Sequence, residues 1–248
     1  MNSLQRHLAF DGIANFRDVG GYKTTDNQTV QWRRLYRSAH LAEASPADLS
    51  KLQYLNLRYS VDLRSNKERK REYYDYDFVQ TTHLAILPKV AELTRNKVMR
   101  GGGITKTEAQ AFMQQMYVGF VHEQQREFSA FFKQFLAAEA PLVVHCTAGK
   151  DRTGFAVALV LLALGVHADD VMADYLLSNQ FFDTARPRRL MVPDEVMKVL
   201  WSVQPDYLAA ALAEIQQHHQ DVPNYLQGQL GLEPLQLEQL RERMLLAS

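Results

Sequence analysis

One segment of this 248-residue sequence gathers the side chains best suited to chemistry, the run VVHCTAGKDRTG over residues 143–154. A β-branched stretch, a loop of small residues and a nearly all-apolar helix follow one another with no residue to spare. Such a loop has to curl tightly, so that successive backbone N–H groups from Thr147, Ala148, Gly149 and Lys150 point at a common centre. A nest of this kind at a helix N-terminus binds a tetrahedral oxyanion through its N–H groups and the positive end of the helix dipole. Cys146 sits at its base, where the same field favours the thiolate and lowers a cysteine pKa from about 8.5 toward roughly 3.5–7.5. Arg152 lies six positions on, and its planar guanidinium can hold two equatorial phosphoryl oxygens as charge spreads during transfer. Nucleophile and clamp together, in Cys-x5-Arg spacing, point to phosphoryl chemistry.

At these residues the chain resembles the protein tyrosine phosphatase superfamily, whose loop reads His-Cys-x5-Arg-Ser/Thr. It is most similar to the bacterial tyrosine and phosphoinositide phosphatases with a His-Cys-x-x-Gly-Lys-Asp-Arg-Thr-Gly loop. The likeness extends to NFRDVGGY (15–22), YRSAHL (36–41), SVDLRS (60–65), DYLLSN (174–179) and NYLQGQLGL (224–232), and so spans most of the sequence. It implies that Cys146 attacks phosphorus to form a thiophosphoryl intermediate, that Arg152 binds the phosphoryl group, and that Thr153 assists the thiolate as leaving group. It also implies that His145 orients the loop and Lys150 adds positive charge beside the substrate, which raises the prospect of phosphoinositide substrates beside phosphotyrosine and phosphoserine or phosphothreonine proteins.

The chain departs from its superfamily at the general acid. Members usually carry that Asp on a separate loop a few tens of residues before the cysteine, yet no Asp occurs here between Asp77 and Asp151. Two candidates remain: Asp151, inside the loop, and Asp62, at the end of a strand where α/β sites usually open. Asp151 is preferred because it already belongs to the loop, although an Asp beside Arg and Lys should be held ionised unless its surroundings oppose that. Asp62 and Arg64 could instead pair at the strand end, and Arg17 with Asp18 could form a turn-stabilising ion pair.

Elements able to position these residues are legible from periodicity. Short strands are expected within 32–41, at 59–63, 81–87 and 141–145, with helices at 46–55, from Ser65, across 107–138 as one helix or two, and at 153–164. Ser45-Pro46 is a good N-cap and N1 pair, and Ser65 with Glu68 forms a capping-box pattern. After Gly165 the pattern is helical almost to the end: 169–178, 193–201, 205–218 and 235–246. The expected fold is α/β, a central mostly parallel sheet flanked by helices, as one domain over 1–248 with a core at 1–165 and a helical part at 166–248. The stretch Lys89 to Lys106 carries five Lys/Arg against one Glu and reads as a mobile basic loop, a lid or a substrate contact.

Composition narrows the field. Lys+Arg and Asp+Glu both number 28, so nothing global calls for nucleic acid or an anionic membrane. The single cysteine excludes an internal disulfide and a multi-cysteine metal site, and arsenate reduction, which needs further cysteines. No secretory signal is evident and the longest apolar stretch, 155–166, falls short of the roughly 20 residues that span a bilayer, so a cytoplasmic protein without stable membrane insertion is expected. Arg, Lys and loop amides can supply the stabilisation that Mg²⁺ provides elsewhere, so neither metal nor cofactor is expected. The rival reading is a phosphate-binding module that has lost turnover.

Overall fold

The computed structural model describes residues 5–99, 103–182 and 193–246. Strand β1 (Arg17–Asp18), β2 (Thr29–Val30) and β3 (Leu35–Ser38) lead to helix α1 (Pro46–Tyr54); β4 (Tyr59–Asp62), α2 (Asn66–Arg71) and β5 (Gln80–His83) follow. Helices α3 (Lys89–Met99), α4 (Lys106–Glu123) and α5 (Gln125–Ala137) then lead to β6 (Leu142–His145) and α6 (Asp151–Ala163). The remainder comprises α7 (Ala168–Leu176), α8 (Ser178–Phe181), α9 (Asp194–Trp201), α10 (Pro205–His219), α11 (Val222–Gly228), α12 (Pro234–Met244) and β7 (Leu245–Leu246).

The main sheet has the order β1-β3-β6-β4-β5, parallel except for β1, which runs antiparallel to β3. Strand β6 lies at its centre, buried along its whole length, as a continuous apolar run requires. The registers Ser38↔His145 and Asp62↔His145 bring three strands to a common level. The segments that leave β3, β4 and β6 therefore emerge together at one edge of the sheet, the edge at which open α/β sheets bind ligands.

Behind the loop, α6 is buried on nearly every face from Thr153 to Leu161, the environment a helix with no polar side demands. Phe155 meets Phe120 of α4 and Phe128 of α5, with ring centroids 5.7 and 5.0 Å apart. One apolar cluster runs from Val19 to Leu245 and includes strands, α6 and the later helices. No helix among the described residues is long and apolar enough to cross a membrane.

Two sequence expectations are corrected, and a third is resolved between its alternatives. The stretch expected to be a basic loop folds as α3 over Lys89–Met99, with α4 beginning at Lys106; residues 100–102 lie outside the described ones. Thr105 caps α4, accepting from the Glu108 N–H while Glu108 accepts from Thr105 N–H at 2.8 Å, so the charged sequence carries its own helix signal. The final helix stops at Met244, and Leu245–Leu246 pairs with Thr29–Val30 as β7. The helical run 107–138 divides at Gln124 into α4 and α5.

Candidate active site

Strand β6 ends at His145 and α6 starts at Asp151, so five residues make the turn between them. Gly149 adopts φ +66°, and a Cβ there would lie 2.3 Å from the carbonyl carbon and oxygen of Ser38. Only glycine fits, by conformation and by space. The loop's carbonyls are tied to its rear: Asn15 Nδ2 donates to the oxygens of Ala148 and Gly149, both at 3.0 Å, and Arg37 Nη2 donates to Gly149 at 2.9 Å. Fixing the carbonyls outward turns the intervening N–H groups toward the loop's interior. Among the described residues no acceptor engages the N–H groups of Thr147, Ala148, Gly149 or Lys150, as an anion nest requires. Cys146, which opens the loop directly after β6, is buried at 2% exposure.

The groups that tie the loop form one buried network. Arg37 Nη1 donates to Asp174 Oδ2 at 2.5 Å and Arg17 Nη2 to the Asp174 carbonyl at 2.9 Å, while Arg17 Nη1 donates to Asn15 Oδ1. Arg17, Arg37 and Asp174 are essentially inaccessible. Burial, with Arg37 alongside, pushes Arg17 down to about 9, and Asp174 is held below the usual carboxylate range because the two guanidinium groups outweigh its desolvation. Arg17 thus pairs with Asp174 of α7. The expected Arg17 and Asp18 pair does not form; Asp18 accepts instead from the N–H groups of Gly20 and Arg33, each at 2.8 Å.

Arg152 is held from α2. Its Nη1 and Nη2 donate to Glu68 Oε2 and Oε1 at 2.8 and 2.7 Å, a fork-to-fork pair of the strong charge-assisted kind. Glu68 also accepts from Thr147 Oγ1 at 2.5 Å and from the N–H and hydroxyl of Ser65 at 2.8 and 2.6 Å. Burial alone would raise its pKa, but Arg152 and these donors hold it well below the usual carboxylate range. The fork uses one end of the guanidinium and leaves Nε–H and the outer N–H of Nη2 for two phosphoryl oxygens. A capping box recognised as a helix start therefore also braces Arg152. Its second role shows only when α2 is seen against the loop.

Asp151 stands in the first turn of α6, with Oδ2 accepting from Lys150 Nζ at 2.7 Å and Oδ1 from the Tyr117 hydroxyl at 3.0 Å. Lys150 is 3% exposed, and its ammonium also donates to the carbonyl of Leu200 at the end of α9 at 3.0 Å. Its ammonium is thus held between a carboxylate and a carbonyl inside the protein. Asp62 is 0% exposed, and Arg64 donates to it through its backbone N–H, Nε and Nη2 at 3.0, 2.9 and 2.8 Å. Burial pushes the Asp62 carboxyl up, but His145 and Arg64 outweigh it and hold it below its ordinary value. The alternative strand-end pairing of Asp62 with Arg64 is the one present.

His145 is fully buried beside Cys146. Its Nδ1 lies 3.3 Å from the Cys146 carbonyl and its Nε2 2.6 Å from the Tyr74 hydroxyl, which in turn meets Ser60 Oγ at 2.9 Å. The ring thus donates from Nδ1 and accepts at Nε2. Burial, partly offset by Asp62 and reinforced by Arg64, pushes its pKa down to about 4, so it is neutral at pH 7. Thr153 Oγ1 is buried with no hydrogen-bond partner among the described residues.

Sequence reasoning had not assigned Glu68, Tyr117, Tyr74, Asn15, Arg37 and Asp174 to the site. Asn15, Arg37 and Asp174 fall within the motifs quoted for the resemblance, which was the available signal; Tyr117 had none.

With this geometry in hand, likeness to known proteins is informative. A model described as "Tyrosine phosphatase family" matches residues 8–246. A Cupriavidus necator protein, provisionally named a tyrosine-protein phosphatase, is 40% identical over 241 residues, covering 94% of this chain and 87% of its own. The "Triple specificity protein phosphatase PtpB" of Mycobacterium tuberculosis is 29% identical over 255 residues, covering 87% of this chain and 91% of its own. The crystal structure of P. aeruginosa TpbA aligns with a TM-score of 0.39 at 16% identity, over 78% of this chain and 96% of that one.

Proposed function

The chain belongs to the tyrosine phosphatase family, and on that premise we propose that it is a cysteine-dependent phosphomonoester hydrolase acting first on phosphotyrosine in proteins. The observation that carries this is the loop itself: Cys146 at the start of the open N–H groups, with Arg152 braced by Glu68.

In the first step the Cys146 thiolate attacks phosphorus in line with the ester oxygen. The S–P bond forms as the P–O bond breaks, and Asp151 donates a proton to the departing oxygen. Loop amides and Arg152 take the charge on the equatorial oxygens. In the second step water, deprotonated by Asp151, attacks phosphorus and Cys146 leaves as thiolate, with the Thr153 hydroxyl as its hydrogen-bond donor. The charge stabilisation comes from the protein, so this reading needs no metal. Asp62 is not the acid in this scheme, because it is inaccessible and forked by Arg64, whereas Asp151 keeps some exposure.

Phosphotyrosine is placed ahead of phosphoinositides because Lys150 would have to leave both Asp151 and Leu200 to reach a second ring phosphate. The test is phosphate release in EDTA from a phosphotyrosine peptide, a phosphoserine peptide and mono- and polyphosphorylated phosphoinositides, comparing the wild type with Cys146→Ser. The expected result is fastest turnover of phosphotyrosine, abolished in the variant. No turnover of any substrate, with phosphate binding retained, would assign the chain instead as a binding module.

A further inference from the structure

We propose that Tyr117 is a positioning residue for the proton donor, fixing the Asp151 carboxyl with the Tyr175 hydroxyl behind it. The inference rests on the reading of Asp151 as the general acid. Tyr117, on α4, is fully buried, as is Tyr175 on α7, and their hydroxyls lie 2.7 Å apart. A phenol in an otherwise aromatic core, with Phe120 at 5.1 Å between ring centroids, adds nothing that phenylalanine would not supply by packing alone. Buried hydroxyls persist where they have partners, and the partner here is a carboxylate of the catalytic loop.

The direction of the hydrogen bonds decides the role. Asp151 Oδ1 has only lone pairs to offer when ionised, so Tyr117 donates to it and Tyr175 therefore donates to Tyr117. Burial first, and the nearby Asp151 charge second, push both phenols well above their ordinary pKa, so Tyr117 stays a donor throughout and is not itself the acid. To carry a proton, Asp151 must free one oxygen from its donor. Lys150 has a second acceptor to fall back on, the Leu200 carbonyl; among the described residues Tyr117 has no other while Tyr175 donates to it. Oδ1 consequently remains the fixed acceptor, and Oδ2 becomes the atom that holds and delivers the proton. The donors thus set which oxygen faces the leaving group.

The experiment compares Tyr117→Phe with the wild type on p-nitrophenyl phosphate, whose leaving group needs little protonation, and on an alkyl phosphate, whose leaving group needs a full proton. Loss of one hydrogen bond to the carboxyl corresponds to about a five- to tenfold fall in kcat on the alkyl substrate, with less than a twofold change on p-nitrophenyl phosphate and in KM. Equal losses on both substrates, or none, would overturn the inference. Asp151→Asn, run in parallel, separates the layers. If its loss is no larger on the alkyl substrate, the acid assignment fails; if its loss is larger there while Tyr117→Phe is indifferent, only the role of Tyr117 fails. Should Tyr117→Phe not fold, Tyr175→Phe carries the same comparison with the same signs.

Discussion

Stability of this protein should fall as the pH drops from 6.5 toward 4 in a way that depends on His145. The imidazole is walled in with no exposure, held between the Cys146 carbonyl and Tyr74, and its pKa is pushed down to about 4 from 6.5. Protonation would place an N–H against Tyr74, whose hydroxyl already donates to the ring, and would add a cation near Arg64. Asp62, 3.9 Å away, would welcome that charge but is already paired with Arg64. A histidine whose folded pKa is depressed contributes stability that is complete above the unfolded pKa and is lost as pH falls through the folded one. A difference of about 2.5 units at 1.36 kcal/mol each amounts to about 3.4 kcal/mol in full, of which linkage removes about 2 kcal/mol by pH 5. Asp18, whose carboxyl burial lifts to about 6, acts with the opposite sign between about pH 4 and 6, so the raw curve is a mixture. The difference between wild type and His145→Gln isolates the histidine. Urea unfolding at pH 7.5, 6, 5.5 and 5 should show the wild type's advantage shrinking by about 2 kcal/mol over that range. An advantage constant to within about 0.5 kcal/mol would mean that the ring is not held neutral by burial, and the argument from its two hydrogen bonds would be refuted.

Two further outcomes follow from the loop's supports. Glu68→Gln leaves one guanidinium N–H of Arg152 facing an amide donor, which should lower kcat/KM on a phosphotyrosine peptide by about 10- to 100-fold, the equivalent of one lost charge-assisted bond; activity within twofold of wild type would show that Arg152 needs no brace. Asp174→Ala strands Arg17 and Arg37 as buried charges without a carboxylate and should cost about 3–5 kcal/mol in urea unfolding, and a cost under about 1 kcal/mol would show that the network does not hold the loop.

What could be read along the chain was whatever depends on near neighbours. Cys146, Arg152 and Thr153 belong to one turn and one helix start, so spacing alone placed them together. The alternation of β-branched runs with capped helices likewise announced the parallel sheet, since N-caps at Ser45 and Ser65 are local hydrogen bonds. Local patterns misled where charge density was taken as the sign of a loop: α3 forms through a stretch rich in Lys and Arg, and Leu245–Leu246 leaves the helical pattern because Thr29–Val30 offers it a strand partner. Distant pairings decided the rest. The strand register brings Asp62 level with His145, 83 residues away, while Lys150 meets a carbonyl 50 residues away on α9. Glu68 and Arg152 are 84 residues apart, Tyr117 and Asp151 34, and Arg37 and Asp174 137. None of these separations leaves a periodic trace, because a buried charge chooses its partner by proximity in the folded protein, where desolvation makes an unpaired one costly. The sequence by itself determined that Cys146 and Arg152 share one tight loop and helix start; the tertiary structure decided which partner each carboxylate takes, Glu68 with Arg152, Asp174 with Arg37, and Asp151 with Lys150 and Tyr117.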